Sequence, residues 1–209
     1  MIGSKLAPVQ ERAHERVNMI LDAAQQLFAA NDIVDVNMLQ IAAAAQSTPA
    51  SVYRYFPNKN AIVAELYRQQ CAVQNELILS ILRSMKSLDD LPSAGEQIVV
   101  ANARLIREQR AARSIADAVA SSTMLRHLKY SNNNTLARLG TEVLMSFEPD
   151  ADCRDEVYKH LRTVTAVYGG ALREVVDSDA SNLQGLLDSF CIMIRAHLQL
   201  IVTTMRTRS

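Results

Sequence analysis

Nowhere in this chain do apolar and polar residues alternate with a period of two over a useful length; apolar residues recur at intervals of three and four instead. That pattern excludes half-buried strands and leaves helices. The fold class read from the sequence is therefore all-α, with about nine helices. Pro and Gly number only 5 and 6 in 209 residues, so little punctuates those helices. Apolar residues make up 49% and charged residues 21%, which suits a soluble globular chain with a sizeable core.

From Ala13 to Asn31, the residues Val17, Ile20, Leu21, Ala24, Leu27 and Phe28 fall on one face of a helix. Asn37 stands at an N-cap position ahead of the short run MLQIAAAA, whose alanines permit close approach. Gln46-Ser47 make a turn, Thr48 caps, and Pro49 takes the first helical position, where a missing N–H costs nothing. This third helix runs to about Phe56 and breaks at Pro57-Asn58. A long fourth helix starts near Lys59 with the ladder Ile62, Val63, Leu66, Val73, Leu77, Ile81 and Leu82. LDDLPSAGE reads as the clearest linker, and helices are expected at about 93–110, 112–121, 123–147, 152–177 and 181–206. The division between domains falls inside helix four, giving 14–74 and 75–209.

Two short helices joined by a tight turn and braced by a longer one form a helix-turn-helix, here spanning about 38–57. Helical spacing turns Val52 and Phe56 toward Ile41, Ala42, Leu27 and Phe28. Pro49, Ala50, Tyr53 and Arg54 then face outward. Aromatic and cationic side chains on an outward face suit a partner with flat or anionic surfaces. A plain three-helix packing unit would place Glu, Lys or Gln there.

The segments ILDAAQQLFAAND and IAAAAQSTPASVYRYFPNKNAIVAEL resemble the N-terminal domain of the TetR family of transcriptional regulators. The anchor is Tyr53-Arg54-Tyr55-Phe56-Pro57-Asn58-Lys59, preceded by Ile41-Ala42 and Leu27-Phe28, and the resemblance covers roughly 14–74. It implies a three-helix DNA-binding domain followed by a helical ligand-binding and dimerisation domain. It further implies that Asn37 and Tyr55 hydrogen-bond phosphates, and that Lys59 pairs with a phosphate at the start of helix four. Tyr53, Pro49 and Ala50 would face base edges, with Ser51, Arg54 and the capping Thr48 also at the DNA, on backbone or base. Gln40 is the remaining reader, since an amide bonds adenine bidentately. The chain departs from the family pattern at Asn31 and Gln46, where Gly is usual, at Asn37 for Thr, and at Ser47 for a small apolar residue. Asn31 and Asn37 are mild changes, whereas Gln46 puts a side chain into a tight turn and invites backbone strain.

Net charge is zero, so any nucleic-acid partner must be held by placement rather than by field. Through residue 60, Lys5, Arg12, Arg16, Arg54 and Lys59 are matched by Glu11, Glu15, Asp22, Asp32 and Asp35. Arg12, His14 and Arg16 either reach flanking DNA or simply solvate a helix start. Cys71, Cys153 and Cys191 lack disulfide or metal spacing, and are read as inert packing rather than redox sensors. His14, His127, His160 and His197 are too scattered for a metal site, and no nucleophile stands beside a base. No catalytic residue, metal or cofactor is expected, and the chain does not read as an enzyme. MIGSKLAPVQER has no apolar run after its lysine, so no signal peptide is read. Charges interrupt the apolar runs before a membrane span's length, and the expected location is the cytoplasm.

In the second domain two helices are unusually apolar. Leu161, Val164, Val167, Leu172 and Val175 mark one, and Leu183, Leu187, Phe190, Ile194, Leu198 and Ile201 the other. With two-fold mates they would form a four-helix homodimer interface including Gly169 and Gly170. That glycine pair is explained by close approach of another helix, or by a kink. The resemblance implies an effector pocket between helices four and eight. Met85, Met124, His127, Tyr130, Asn134, Met145 and Tyr168 lie on helices expected to line it, for a mostly apolar small molecule. Methionine stripes are also ordinary core. SNNNT at 131–135 is either a surface bulge interrupting its helix or a polar cluster facing the ligand, and Arg104 and Arg107 are solvated cations or acid readers. The sequence thus supports a ligand-responsive repressor that binds a double-stranded operator. The competing reading is a helical adaptor of the same shape that binds a protein partner.

Overall fold

The computed structural model describes residues 8–108, 110–149 and 151–208. Residues 1–7, which hold Lys5 and most of the stretch inspected for a signal peptide, lie outside them. Among the described residues there are nine α-helices and no strand. They divide into two compact units: residues 1–69 with 110–126, and residues 70–109 with 127–209.

The first unit contains α1 (Pro8–Ala30), α2 (Met38–Ala44), α3 (Pro49–Tyr55), the opening turns of α4 (Lys59–Arg83) and α6 (Arg110–Ser121). Its core is the face the periodicity selects: Ile20, Leu21, Ala24 and Phe28 of α1 are buried with Ile41, Ala42, Val52, Phe56, Ile62, Val63 and Leu66. Burying each large aliphatic or aromatic side chain contributes about 1.5–3 kcal/mol, which offsets the weakness of seven-residue helices on their own. The sequence division at residue 74 misses one component. Helix α6 packs on α1, and its Ala111, Ile115 and Val119 are buried at four-residue spacing, so it joins the first unit.

The second unit holds the rest of α4, a 3-10 turn at Leu88–Asp90, α5 (Leu91–Glu108), α7 (Arg126–Met145, apart from its first residue), α8 (Arg154–Asp177) and α9 (Ala180–Thr207). Helix α5 packs on α9 and α8, and α8 packs on α9. LDDLPSAGE is not a linker. Leu88, Leu91, Pro92, Ala94 and Gly95 are all buried. Asp90 caps the turn by accepting from the backbone N–H groups of Lys86 and Ser87 at 2.8 and 3.0 Å, and those bonds hold its carboxyl below the usual range. Gly95 marks the tight crossing of α5 and α9, because an added Cβ would stand 2.1 Å from Leu198 Cδ1. The glycine pair behaves otherwise. Nothing lies within 4 Å of an added Cβ at Gly169 or Gly170, and α8 runs through both. Nor does SNNNT form a bulge: α7 is continuous, and Asn133 is buried within it.

Helix α9 corrects the expectation about apolar runs. Ser181–Thr207 is long and apolar enough to cross a membrane by length and composition. Its Phe190, Ile194, Leu198 and Ile201 are buried in the unit's own core.

Candidate nucleic-acid interface and cavity

Local hydrogen bonds build the helix-turn-helix. Asn37 Oδ1 accepts from the backbone N–H groups of Leu39 and Gln40, both at 3.0 Å, while Asn37 N–H donates to Gln40 Oε1 at 2.8 Å. This reciprocal capping box satisfies donors that a short helix otherwise leaves open. Thr48 Oγ1 accepts from Ser51 N–H at 3.2 Å, with Pro49 at the first helical position of α3. Arg16 Nη1 donates to Ser47 Oγ at 3.3 Å, tying α1 to the turn, while Arg12 and His14 stay exposed.

The turn itself is strained at one residue. Gln46 has φ 48°, the only positive φ at a non-glycine among the described residues. A side chain there costs about 1–2 kcal/mol, of which glycine's larger unfolded-state entropy would return about 0.5–1 kcal/mol. Gln46→Gly is therefore expected to raise the melting temperature by about 1–4 °C in a calorimetric scan. An unchanged or lower value would mean that the glutamine side chain repays its own strain.

Helix α3 is sharply two-sided. Val52 and Phe56 are buried, while Pro49, Ala50, Tyr53 and Arg54 are exposed and Ser51 and Tyr55 half-buried. Tyr53 keeps 49% of its surface open. Arg54 Nη2 donates to Tyr55 Oη at 3.0 Å, and its guanidinium carbon lies 5.1 Å from the Tyr55 ring centre. That stacking organises the cation beside the outward tyrosine. Leu39 is 62% exposed on α2, an apolar group with no core of its own to fill. Sequence reasoning missed it, although Leu39 is out of register with the buried Met38, Ile41 and Ala42.

Lys59 differs from its expected task. Its ammonium donates to the backbone carbonyls of Ile33, Val34 (3.0 Å) and Val36 (2.7 Å). Three N–H donors meet three acceptors, so none is left over for a phosphate. The side chain braces the loop between α1 and α2, whose carbonyls have no helical partners. Asn37 and Gln40 are likewise committed through their amide oxygens, leaving the NH2 ends for another partner.

Residues 20–66 match the family model described as bacterial regulatory proteins, tetR family. The helix-turn-helix unit is a TetR-family domain. Two curated relatives are similar to it, uncharacterised HTH-type transcriptional regulators of Mycobacterium tuberculosis strains CDC 1551 and H37Rv. Each is 34% identical over 71 residues, 34% of this chain and 35% of the relative. The match thus spans about a third of the length of those relatives. Solved structures extend the likeness in fold to most of the chain. A TetR transcriptional regulator from Rhodococcus sp. RHA1 superposes with TM-score 0.61 at 16% identity, covering 90% of this chain and 96% of that one. SmeT, the repressor of the Stenotrophomonas maltophilia multidrug efflux pump SmeDEF, gives 0.57 at 17%, covering 85% and 89%.

Beyond the TetR-family domain, the second unit holds a partly open cavity of about 180 Å³ between α4, α5, α7, α8 and α9. Its walls are mainly Ile78, Leu82, Ile98, Val99, Leu136, Leu161, Phe190 and Ile194. Of the seven residues expected to line a pocket, only Tyr168 does so. Met85 and Met145 are buried in the core, and Met124, His127, Tyr130 and Asn134 are exposed. Asn134 Oδ1 accepts from Arg162 Nε. The polar lining is Gln74, Asn75, Asn102, Asn132, Asn133, Thr165 and Tyr168, and two of these, Asn132 and Asn133, belong to SNNNT, as the polar-cluster reading of that run expects. Arg104 and Arg107 are not among the lining residues, and Arg104 is paired with Glu108 at 2.7 Å.

The expected dimer residues also turn inward. Leu161, Leu172, Phe190, Ile194, Leu198 and Ile201 are buried in their own unit, with Val164 and Leu187 half-buried against it. Gly169 is exposed and Gly170 half-exposed, with nothing close to either. On a helix apolar nearly all round, periodicity selects the most apolar stripe, which packs internally. What remains outside is Val167 on α8 and Leu186, Ile192, Met193 and Leu200 on α9. The cysteines are quiet: Cys71 and Cys153 are buried, and burial pushes the Cys153 and Cys191 thiols up, away from the reactive thiolate.

Proposed function

We propose that this chain is a homodimeric transcriptional regulator that binds double-stranded DNA through α3 and represses until a small effector enters the cavity of the second unit. The observation that carries the reading is the outward side of α3, where Pro49, Ala50, Tyr53 and Arg54 have no core of their own to fill. Such a helix fits a major groove while its partner helix crosses the backbone. Repression fits the likeness to SmeT, which is itself a repressor. A second copy is the natural cover for Leu186, Met193 and Leu200, which recur every seven residues along α9. It would set two recognition helices about one DNA turn apart, ~34–36 Å. One uninterrupted helix, α4, supplies Lys59 to the loop brace and Gln74, Asn75, Ile78 and Leu82 to the cavity wall. An effector that favours one setting of α4 would thereby bias DNA binding. The location that goes with this role is the cytoplasm.

Selection of binding sites from random double-stranded DNA tests the proposal. The expected product is a two-fold symmetric site whose affinity falls steeply with salt, as counterion release from several phosphates requires. No enriched site, or binding indifferent to salt, would overturn it. Either result favours the helical adaptor, which the zero net charge and the committed Lys59 ammonium modestly support.

A further inference from the structure

The cavity's polar lining has one consistent character. Gln74, Asn75, Asn102, Asn132 and Asn133 contribute amides, Thr165 and Tyr168 contribute hydroxyls, and no Asp, Glu, Lys, Arg or His lines it. Part of this polarity is already engaged: Asn75 Nδ2 donates to Asn132 Oδ1 at 2.8 Å, and the Thr165 hydroxyl lies within reach of the Arg162 and Asn133 carbonyls. Asn102 stands out. It is 5% exposed, and its Oδ1 is buried without a hydrogen-bond partner. An acceptor in that state is a standing penalty, relieved by a donor in the cavity that the amide turns to meet. The terminal amide torsion is broad, so the carbonyl turns toward such a donor at little cost.

Charged ligands meet the opposite situation. Nearby ionic side chains are engaged elsewhere, Arg162 with Asn134 and Glu96 with Arg195 at 2.6 Å. The imidazole nearest the wall, His197, stands edge-on to Tyr168 with ring centres 6.0 Å apart. Burial first, and His160 second, push its pKa down, which disfavours its charged form. A charge in this cavity would lose its water and gain no counter-charge.

We propose that the cavity takes a small, neutral, largely apolar ligand carrying one hydroxyl or N–H group, which donates to Asn102 Oδ1, and that carboxylates and cations are refused. This deepens the effector reading and rests on it. The volume sets the size: a cavity of ~150 Å³ admits a single benzene ring.

Four probes built on one ring separate the possibilities: benzyl alcohol, toluene, benzoate and benzylamine. Each is titrated at millimolar concentration into the full chain without DNA, with binding followed by calorimetry or ligand-detected NMR. Benzyl alcohol is expected to bind about tenfold or more tighter than toluene, with no saturable binding of the two ions. Asn102→Leu should bring benzyl alcohol down to the toluene level, keep toluene binding, and melt no lower than the parent, because the unpaired carbonyl is gone. The proposal fails if either ion binds as well as the alcohol, if toluene equals the alcohol in the parent protein, or if no probe binds. It fails equally if Asn102→Leu keeps the alcohol's advantage. The wild-type ranking stands whether or not the variant folds. Because DNA is absent throughout, a failed panel beside a successful DNA selection sinks the ligand chemistry and leaves the regulator.

Discussion

Tyr53→Ala is expected to weaken binding to the selected DNA site by about ten- to a hundredfold, with the melting temperature moved by no more than about 1 °C. The two halves follow from one fact: Tyr53 is half exposed and projects from the side of α3 opposite Val52 and Phe56. Removing it deletes no core contact, so stability is spared. A base-edge contact of that size is worth about 1–3 kcal/mol, which sets the range of affinity lost. Fluorescence anisotropy with a labelled site, alongside thermal melts of both proteins, gives both numbers. Undiminished affinity would mean that the exposed ring does not meet DNA, and the placement of α3 in the groove would fall with it.

The second large effect is at Lys59, where stability rather than affinity should respond. Lys59→Met keeps the length of the side chain and removes the ammonium that holds the carbonyls of Ile33, Val34 and Val36. Hydrogen bonds from a charged donor contribute about 1.5–3 kcal/mol, and water can replace part of what the exposed end of the loop loses. A loss of about 2–3 kcal/mol is expected, read as a fall of about 4–12 °C in melting temperature. Measured well below that transition, DNA affinity should change by less than about threefold. The opposite pattern, with stability retained and the salt dependence reduced by about one phosphate, would restore the role that the family resemblance implies.

What was legible in the sequence was local. The Asn37 and Thr48 caps, Pro49 at the start of α3 and the break at Pro57 all act within four residues, and each stands where the sequence puts it. The strain at Gln46 was readable for the same reason, since a tight turn asks for glycine regardless of distant packing. What escaped was non-local. The Lys59 side chain reaches back 23 to 26 residues to a loop whose need for donors no motif announces. Pro92 and Gly95 look like punctuation, yet one opens a helix and the other lets Leu198 come close. The cavity's neighbourhood, beside helices four and eight, was legible, as were Tyr168 and the SNNNT run, but the orphaned acceptor belongs to Asn102, in a helix that drew attention for a linker and two arginines.

The place of α6 has a practical consequence for anyone wishing to borrow the DNA-reading head. A fragment trimmed to residues 14–74 would keep α2 and α3 with the side chains proposed to meet DNA, yet it would lose the helix that packs on α1. Grafting that head onto another dimeriser would therefore require a stand-in for Ile115 and Val119, either by splicing in the 110–126 excursion or by repainting the bared surface with polar residues.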